Sequence, residues 1–160
     1  MFYWAGDHAS ALNALTQAIE IGQRAAEPDQ PEGLAYVYFY RGNLFAVYRQ
    51  DRRAAIQDYR QALALAPEFA PAAFNLGGSL RILANTNRQQ DDEQAARQNY
   101  RAALAAYTQA LSIDPDYVLA YEGRALTHYE LRANEAAIAG RWLAICNNGH
   151  NYFTGLGAEE

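Results

Sequence analysis

The stretches "YRQALALAP", residues 59–67, and "YTQALSIDP", residues 107–115, have the same pattern of residues at two places in the chain. A third version without the proline, "LTQAIEI", occupies residues 15–21. Apolar residues recur in each at spacings of three and four, which places them on one face of a helix. Each proline ends its helix because it lacks an N–H and disfavours α geometry in the residue before it. The pattern therefore predicts one helical packing surface, formed three times.

Small residues recur upstream, where two antiparallel helices would cross closely. On the first helix of each pair they are Gly42, Gly77 and Ala125, and on the second they are Ala55, Ala103 and Ala137. This spacing resembles the tetratricopeptide repeat, a family of antiparallel helix pairs, over about residues 2–145. The resemblance implies an all-α fold, an α-solenoid in which the pairs stack as a right-handed superhelix. Stacking is required because no pair can bury its apolar face alone.

We predict a single domain over residues 1–160. It divides into a partial leading repeat, three full repeats and a tail, at residues 1–26, 35–67, 70–115, 118–146 and 147–160. Phe2, Tyr3 and Trp4 are typical of the last turn of a shortened first helix. The stretch "EPDQPEGL", residues 27–34, predicts a loop because it holds two prolines and a glycine.

The last repeat lacks a polar capping helix. Asn148 and Gly149 predict the end of its second helix, and too few residues follow to cover the apolar surface. Three solutions stay open: the chain is part of a longer protein, copies associate through their uncapped ends, or Tyr152 and Phe153 fold back over the last helix.

The second full repeat contains an insertion. Pro67 and Pro115 are 48 residues apart, 14 more than the 34 of a tetratricopeptide repeat. The extra residues predict longer helices with a turn in "TNRQQDDEQ", residues 86–94, since acidic residues favour a helix N-terminus. We expect the longer hairpin to project into solvent by about 10–20 Å.

The insertion resembles that of a photosystem I assembly factor of the same family. The resemblance is carried by Pro71, Phe74, Asn75, Gln89, Gln90, Asp92, Ala96, Ala103, Gln109, Ala110 and Pro115. It implies an alternative function, as a chaperone-like assembly factor for a photosynthetic membrane complex. The other interpretation is that the longer hairpin is a spacer.

Composition excludes several classes of function. A net charge of −5 disfavours nucleic acid, which needs a concentrated basic surface. No apolar run reaches the length of a membrane span, and "MFYWAGDHAS" is not typical of a signal peptide. Cys146 is the one cysteine, which suits a reducing compartment. We therefore expect a cytoplasmic protein, and peripheral association with a membrane is compatible with this.

The family resemblance implies a concave groove that is lined by the first helix of each pair and binds an extended peptide or a partner helix. The implied lining comprises Tyr36, Phe39, Tyr40, Asn43, Phe74, Asn75, Arg81, Glu122 and Tyr129. In the family, an asparagine at the place of Asn75 commonly bonds the backbone of a bound peptide. Two alternatives stay open: the Asn75 amide caps local backbone, and half of the aromatic residues pack between helices.

The family's two-carboxylate clamp for chaperone tails is not expected here. Asn43 and Asn75 match its asparagines, but Phe39, Leu119 and Gly123 stand where it needs cations. His8, His128 and His150 lie far apart, so we predict no metal site, no cofactor and no enzyme. The sequence predicts a non-catalytic scaffold for a protein or peptide partner, with the assembly factor and a self-associating structural module as alternatives.

Overall fold

The chain folds as stacked antiparallel helix pairs. The computed structural model describes residues 8–24 and 31–154, with the backbone alone for residues 31, 137 and 140–154. In these residues it has no strand and six α-helices: α1 His8–Arg24, α2 Pro31–Leu44, α3 Arg52–Leu65, α4 Ala70–Gln89, α5 Glu93–Ile113 and α6 Val118–Thr154. Helices that follow one another in the chain also contact one another. The predicted all-α solenoid is confirmed, while the bounds of the individual repeats stay a prediction.

Helices α3 and α5 begin and end in the same way. The side chain of Asp51 accepts a hydrogen bond from the Ala54 amide at 3.0 Å, and Asp92 accepts one from the Ala95 amide at 3.0 Å. These caps satisfy N–H groups that have no partner within the helix. Each helix ends two residues before its proline. The predicted turn in residues 86–94 is confirmed between the end of α4 and the start of α5.

The last four residues of the loop predicted over residues 27–34 belong to a helix instead, since α2 begins at Pro31. Proline suits the first turn of a helix, where its missing N–H would have no partner, and Glu32 follows in the same turn. Residues 25–30 lie outside the described residues, as do Phe2, Tyr3 and Trp4.

Two buried tyrosines fill the space that glycines leave between paired helices. A Cβ atom on Gly42 would lie 2.8 Å from the Tyr59 ring, and one on Gly77 would lie 2.9 Å from the Tyr107 ring. The prediction for Ala125 is wrong, since Ala125 is exposed. Gly123 faces Tyr107 instead, and a Cβ there would lie 2.6 Å from the ring. Helix α6 therefore turns a different face to α5 than the alignment of the repeats predicts.

The insertion lengthens the α4–α5 hairpin, whose tip is exposed to solvent as expected, whereas part of the lengthened helices is covered by α6. Helix α5 has 21 residues against 14 in α3, which is about two turns more. In the lengthened part, Ala84, Ala96 and Tyr100 are buried, and Leu131 of α6 packs against them. Helix α6 thus packs along one side of the hairpin.

Residues 118–146 are predicted to form a helix pair, whereas α6 is one helix of 37 residues that continues through Asn148 and Gly149 to Thr154. No proline follows Pro115 in the sequence, and a glycine inside a helix costs only about 1 kcal/mol. Helix α6 also contacts the hairpin as far as Glu135, whose Oε1 lies 3.9 Å from Nη2 of Arg101 on α5. Tyr152 and Phe153 belong to this helix, so the backbone does not fold back there.

Candidate functional site

Polar side chains join the first helices of successive pairs, α2, α4 and α6, into one layer. Nδ2 of Asn75 donates a hydrogen bond to Oδ1 of Asn43 at 2.8 Å, which joins α4 to α2. Nη1 of Arg81 donates to Oε1 of Glu130 at 2.8 Å, which joins α4 to α6. Both contacts are partly shielded from water, so they stabilise more than exposed pairs do.

A third partner completes the contact between the two asparagines. The Tyr59 hydroxyl donates to the same Oδ1 of Asn43 at 2.7 Å. Burial raises the pKa of Tyr59 to about 12, although the positive charge of Arg52 and a bond with Asn75 oppose part of the rise. The hydroxyl therefore stays protonated, and remains a donor, throughout the neutral range.

Asn75 is the residue expected to bond a peptide backbone, and the structure gives it an internal partner. Its amide nitrogen donates to the side chain of Asn43 on α2, a partner that neither the expected peptide backbone nor the alternative of local backbone supplies. Contact between Asn75 and a partner stays a prediction.

Arg81 and Glu130 belong to a longer network at the lengthened hairpin. Asn85 also donates to Oε1 of Glu130, at 3.2 Å, and the Tyr100 hydroxyl donates to Oδ1 of Asn85. Burial lowers the pKa of Arg81, but Glu130 and Tyr107 more than offset this, and the net shift is upward. Arg81 is thus a charged anchor between helices.

Two equivalent aromatic clusters hold the remaining phenylalanines of the implied groove. The Phe39 ring lies 4.8 Å from that of Phe69 and 6.1 Å from that of Tyr59, between ring centroids. The Phe74 ring lies 5.1 Å from Tyr117 and 5.8 Å from Tyr107. Both phenylalanines are half-buried, as expected of aromatic residues that pack between helices.

Phe69 and Tyr117 are absent from the implied lining, yet they close these clusters. Each stands two residues after a helix-ending proline, Pro67 or Pro115, at the start of the next helix. The recurrence of proline followed two residues later by an aromatic residue is the signal that would have found them.

Four of the residues expected to line the groove have exposed side chains: Tyr36, Tyr40, Glu122 and Tyr129. We call these four residues the tyrosine face. Tyr36 and Tyr40 lie one turn apart on α2, and the Tyr36 ring is 4.7 Å from that of Phe69. A pocket of about 420 Å³ lies beside Tyr36, between the start of α2 and the α3–α4 connection. The other expected residues, Phe39, Asn43, Phe74, Asn75 and Arg81, are half-buried.

The described side chains include no group of three His, Cys, Asp or Glu residues that could hold a metal ion. No described helix is both long enough and apolar enough for a membrane span.

Residues 92–131 match the family model of the TPR (tetratricopeptide) repeat. The matched segment comprises α5 and the first part of α6, so it crosses the boundary between two of the predicted repeats. Outside residues 92–131, the tetratricopeptide pattern is indicated by the spacing of the small and apolar residues.

The fold is shared by a solved structure. A crystal structure of MamA protein is similar, with a TM-score of 0.53 and 20% identity over 83% of this chain and 68% of that chain. A second crystal structure of MamA has a TM-score of 0.48 and 20% identity, over 91% of this chain and 82% of that chain. No curated protein matches the sequence. The resemblance of the insertion to the photosystem I assembly factor stays a prediction.

Proposed function

We propose that this protein is a non-catalytic scaffold that holds a peptide or a helix of a protein partner on its tyrosine face. The observation that carries the proposal is the exposure of three tyrosines on the first-helix layer. Tyr36 is 50% exposed, Tyr40 55% and Tyr129 75%. Three other tyrosines, Tyr59, Tyr100 and Tyr107, are instead buried inside the fold.

An exposed tyrosine on a rigid helix suits protein recognition for two reasons. Its ring supplies a large apolar contact area, and its hydroxyl can bond a partner's backbone. Its side chain also has few rotatable bonds, so binding orders little that was free before. The Asn43–Asn75 and Arg81–Glu130 contacts support this role, because they fix the helices that carry the rings.

The first experiment identifies the partner and then tests the face. A partner captured from the native source is identified by mass spectrometry, and its affinity for the purified chain is measured by calorimetry. We expect Tyr40→Ser or Tyr129→Ser to weaken binding by about tenfold or more, as for a buried aromatic anchor.

Tyr48→Ser is the matched control. Tyr48 is 53% exposed, close to the value for Tyr40, but its ring is stacked on His8 of α1 at 3.4 Å. We expect this variant to bind within about twofold of the original chain. Equal losses in the Tyr40 and Tyr48 variants would remove the tyrosine face from the proposal.

A second candidate function is self-association, and the length of α6 favours it. The helix continues for 19 residues beyond Glu135, or about 28 Å. A second copy could pack along that length. Light scattering at several concentrations tests this function, because a sample that is monomeric at every concentration would eliminate it.

A further inference from the structure

A cleft of about 400 Å³ lies where the α2–α3 turn faces the last turns of α4. The α2–α3 turn contributes Arg49, and the start of α3 contributes Arg52 and Arg53. The end of α4 contributes Leu83, Thr86 and Asn87, and Gln90 follows directly after this helix. We call this the arginine cleft. Its α4 wall includes residues of the lengthened hairpin, so the insertion helps to build it. None of its residues belongs to the tyrosine face.

The three arginines of the cleft have no acidic partner within the described part of the chain. Four other arginines do, namely Arg24, Arg41, Arg81 and Arg101, each with a carboxylate oxygen within 4.0 Å. The one acidic residue in the cleft is Asp51, and its carboxylate accepts the Ala54 amide that caps α3. Three arginines against one aspartate leave a positive excess in this open cleft.

The other groups of the cleft indicate what kind of anion fits. Gln50, Thr86 and Gln90 carry amide and hydroxyl groups, which both donate and accept hydrogen bonds, as a peptide backbone requires. Leu83 adds an apolar contact. Arginine pairs with carboxylates through two parallel hydrogen bonds. A long polyanion such as nucleic acid is disfavoured, because the whole chain carries a net charge of −5.

We propose that the arginine cleft binds an acidic segment of a protein, with Asp or Glu carboxylates paired to Arg49, Arg52 and Arg53. This binding does not depend on the proposed function of the tyrosine face. It would give the protein a second, electrostatic contact, whose strength falls as salt is added.

The test uses the full chain and a fluorescein-labelled hexaglutamate peptide, with binding followed by fluorescence anisotropy at low and at physiological ionic strength. The variant R49Q/R52Q/R53Q removes the positive groups of the cleft. The control variant R24Q/R60Q/R132Q removes the same number of charges from exposed positions elsewhere. Circular dichroism and urea unfolding establish that both variants fold like the original chain.

We expect saturable binding that weakens about tenfold or more in the cleft variant and less than about twofold in the control. A hexaglutamine peptide should not bind. Three results would overturn the proposal: equal weakening in both variants, no saturable binding to the original chain, or tighter binding of an oligothymidylate of the same charge.

Discussion

Asn75 and Asn43, 32 residues apart in the sequence, bond to each other through their side chains at 2.8 Å and thereby join α4 to α2. The Tyr59 hydroxyl bonds the same oxygen of Asn43, so this oxygen keeps one donor if Asn75 is replaced. The contact makes Asn75 first of all a part of the fold.

We therefore expect Asn75→Ala to lower the free energy of unfolding by about 1 kcal/mol, the usual net worth of one hydrogen bond. Urea unfolding followed by circular dichroism measures this. Gln89→Ala, at an exposed position of the same helix, is the control and should stay within about 0.5 kcal/mol. Unchanged stability of the Asn75 variant, together with weaker partner binding, would show that Asn75 serves the partner instead.

Adjacent glycines on α4 should respond to substitution in opposite ways. A Cβ on Gly77 would lie 2.9 Å from the Tyr107 ring, whereas one on Gly78 would lie 3.7 Å from the Tyr107 hydroxyl, which is ordinary contact. Gly77→Ala should destabilise by about 1–3 kcal/mol through overpacking. Gly78→Ala should be neutral or stabilise by up to about 1 kcal/mol, since alanine favours a helix. Thermal unfolding compares the two, and similar effects in both variants would contradict the close packing at Gly77.

The bond between Arg81 and Glu130 should matter more than an exposed ion pair. Glu130→Gln leaves the partly buried guanidinium without its charged partner, and we expect a loss of about 1–2 kcal/mol. Glu20→Gln is the matched control, because Glu20 meets Arg24 at 3.8 Å with both side chains largely exposed. There we expect a change below about 0.5 kcal/mol. Urea unfolding at low and high salt measures both, and equal losses would refute the role of Arg81 as an anchor.

Buried tyrosines predict a loss of stability in alkali. Burial raises the pKa of Tyr59 from 10.0 to about 12, and it also raises the pKa values of Tyr100, Tyr107 and Tyr117. The folded state holds these protons more tightly than the unfolded state, so their contribution is fully present below about pH 10.

That contribution should be lost as the pH rises from 10 towards 12, with Tyr59 alone accounting for about 2–3 kcal/mol. Urea midpoints across this range measure the effect. Tyr59→Phe should flatten part of the decline, because phenylalanine has no proton to lose. A midpoint that stays constant to pH 12 would show that the rings reach water in the folded state.

Asn134 presents a buried amide inside α6. It is 1% exposed, and in the described part of the chain neither atom of its side-chain amide has a hydrogen-bond partner. Replacing it by leucine, of similar size, removes the cost of burying an unpaired amide and should stabilise by about 1 kcal/mol or more. A thermal scan tests this, with exposed Arg132→Leu as a control for added hydrophobicity. A destabilised Asn134 variant would mean that the amide bonds a group that the described contacts do not include.

Local chemistry explains why the framework could be predicted from the sequence. Prolines at 67 and 115 stop α3 and α5, Asp51 and Asp92 start them, and apolar residues at helical spacing give each helix one face to bury. Glycines 42 and 77 mark the close crossings, because a tyrosine ring needs the space of a missing Cβ. The prolines and caps act within a few residues, before any tertiary contact forms, and each glycine faces a tyrosine on the next helix along the chain.

What the sequence could not decide depended on neighbours distant in the chain. Helix α6 continues where a turn was expected. Its residues Leu131 and Glu130 contact the lengthened hairpin, which lies beside it. Packing likewise decided which aromatic residues face solvent: Phe69 and Tyr117 cover Phe39 and Phe74, whereas Tyr36, Tyr40 and Tyr129 stay exposed. Periodicity marks a face of a helix, but whether another element covers that face is fixed only when the whole chain has folded.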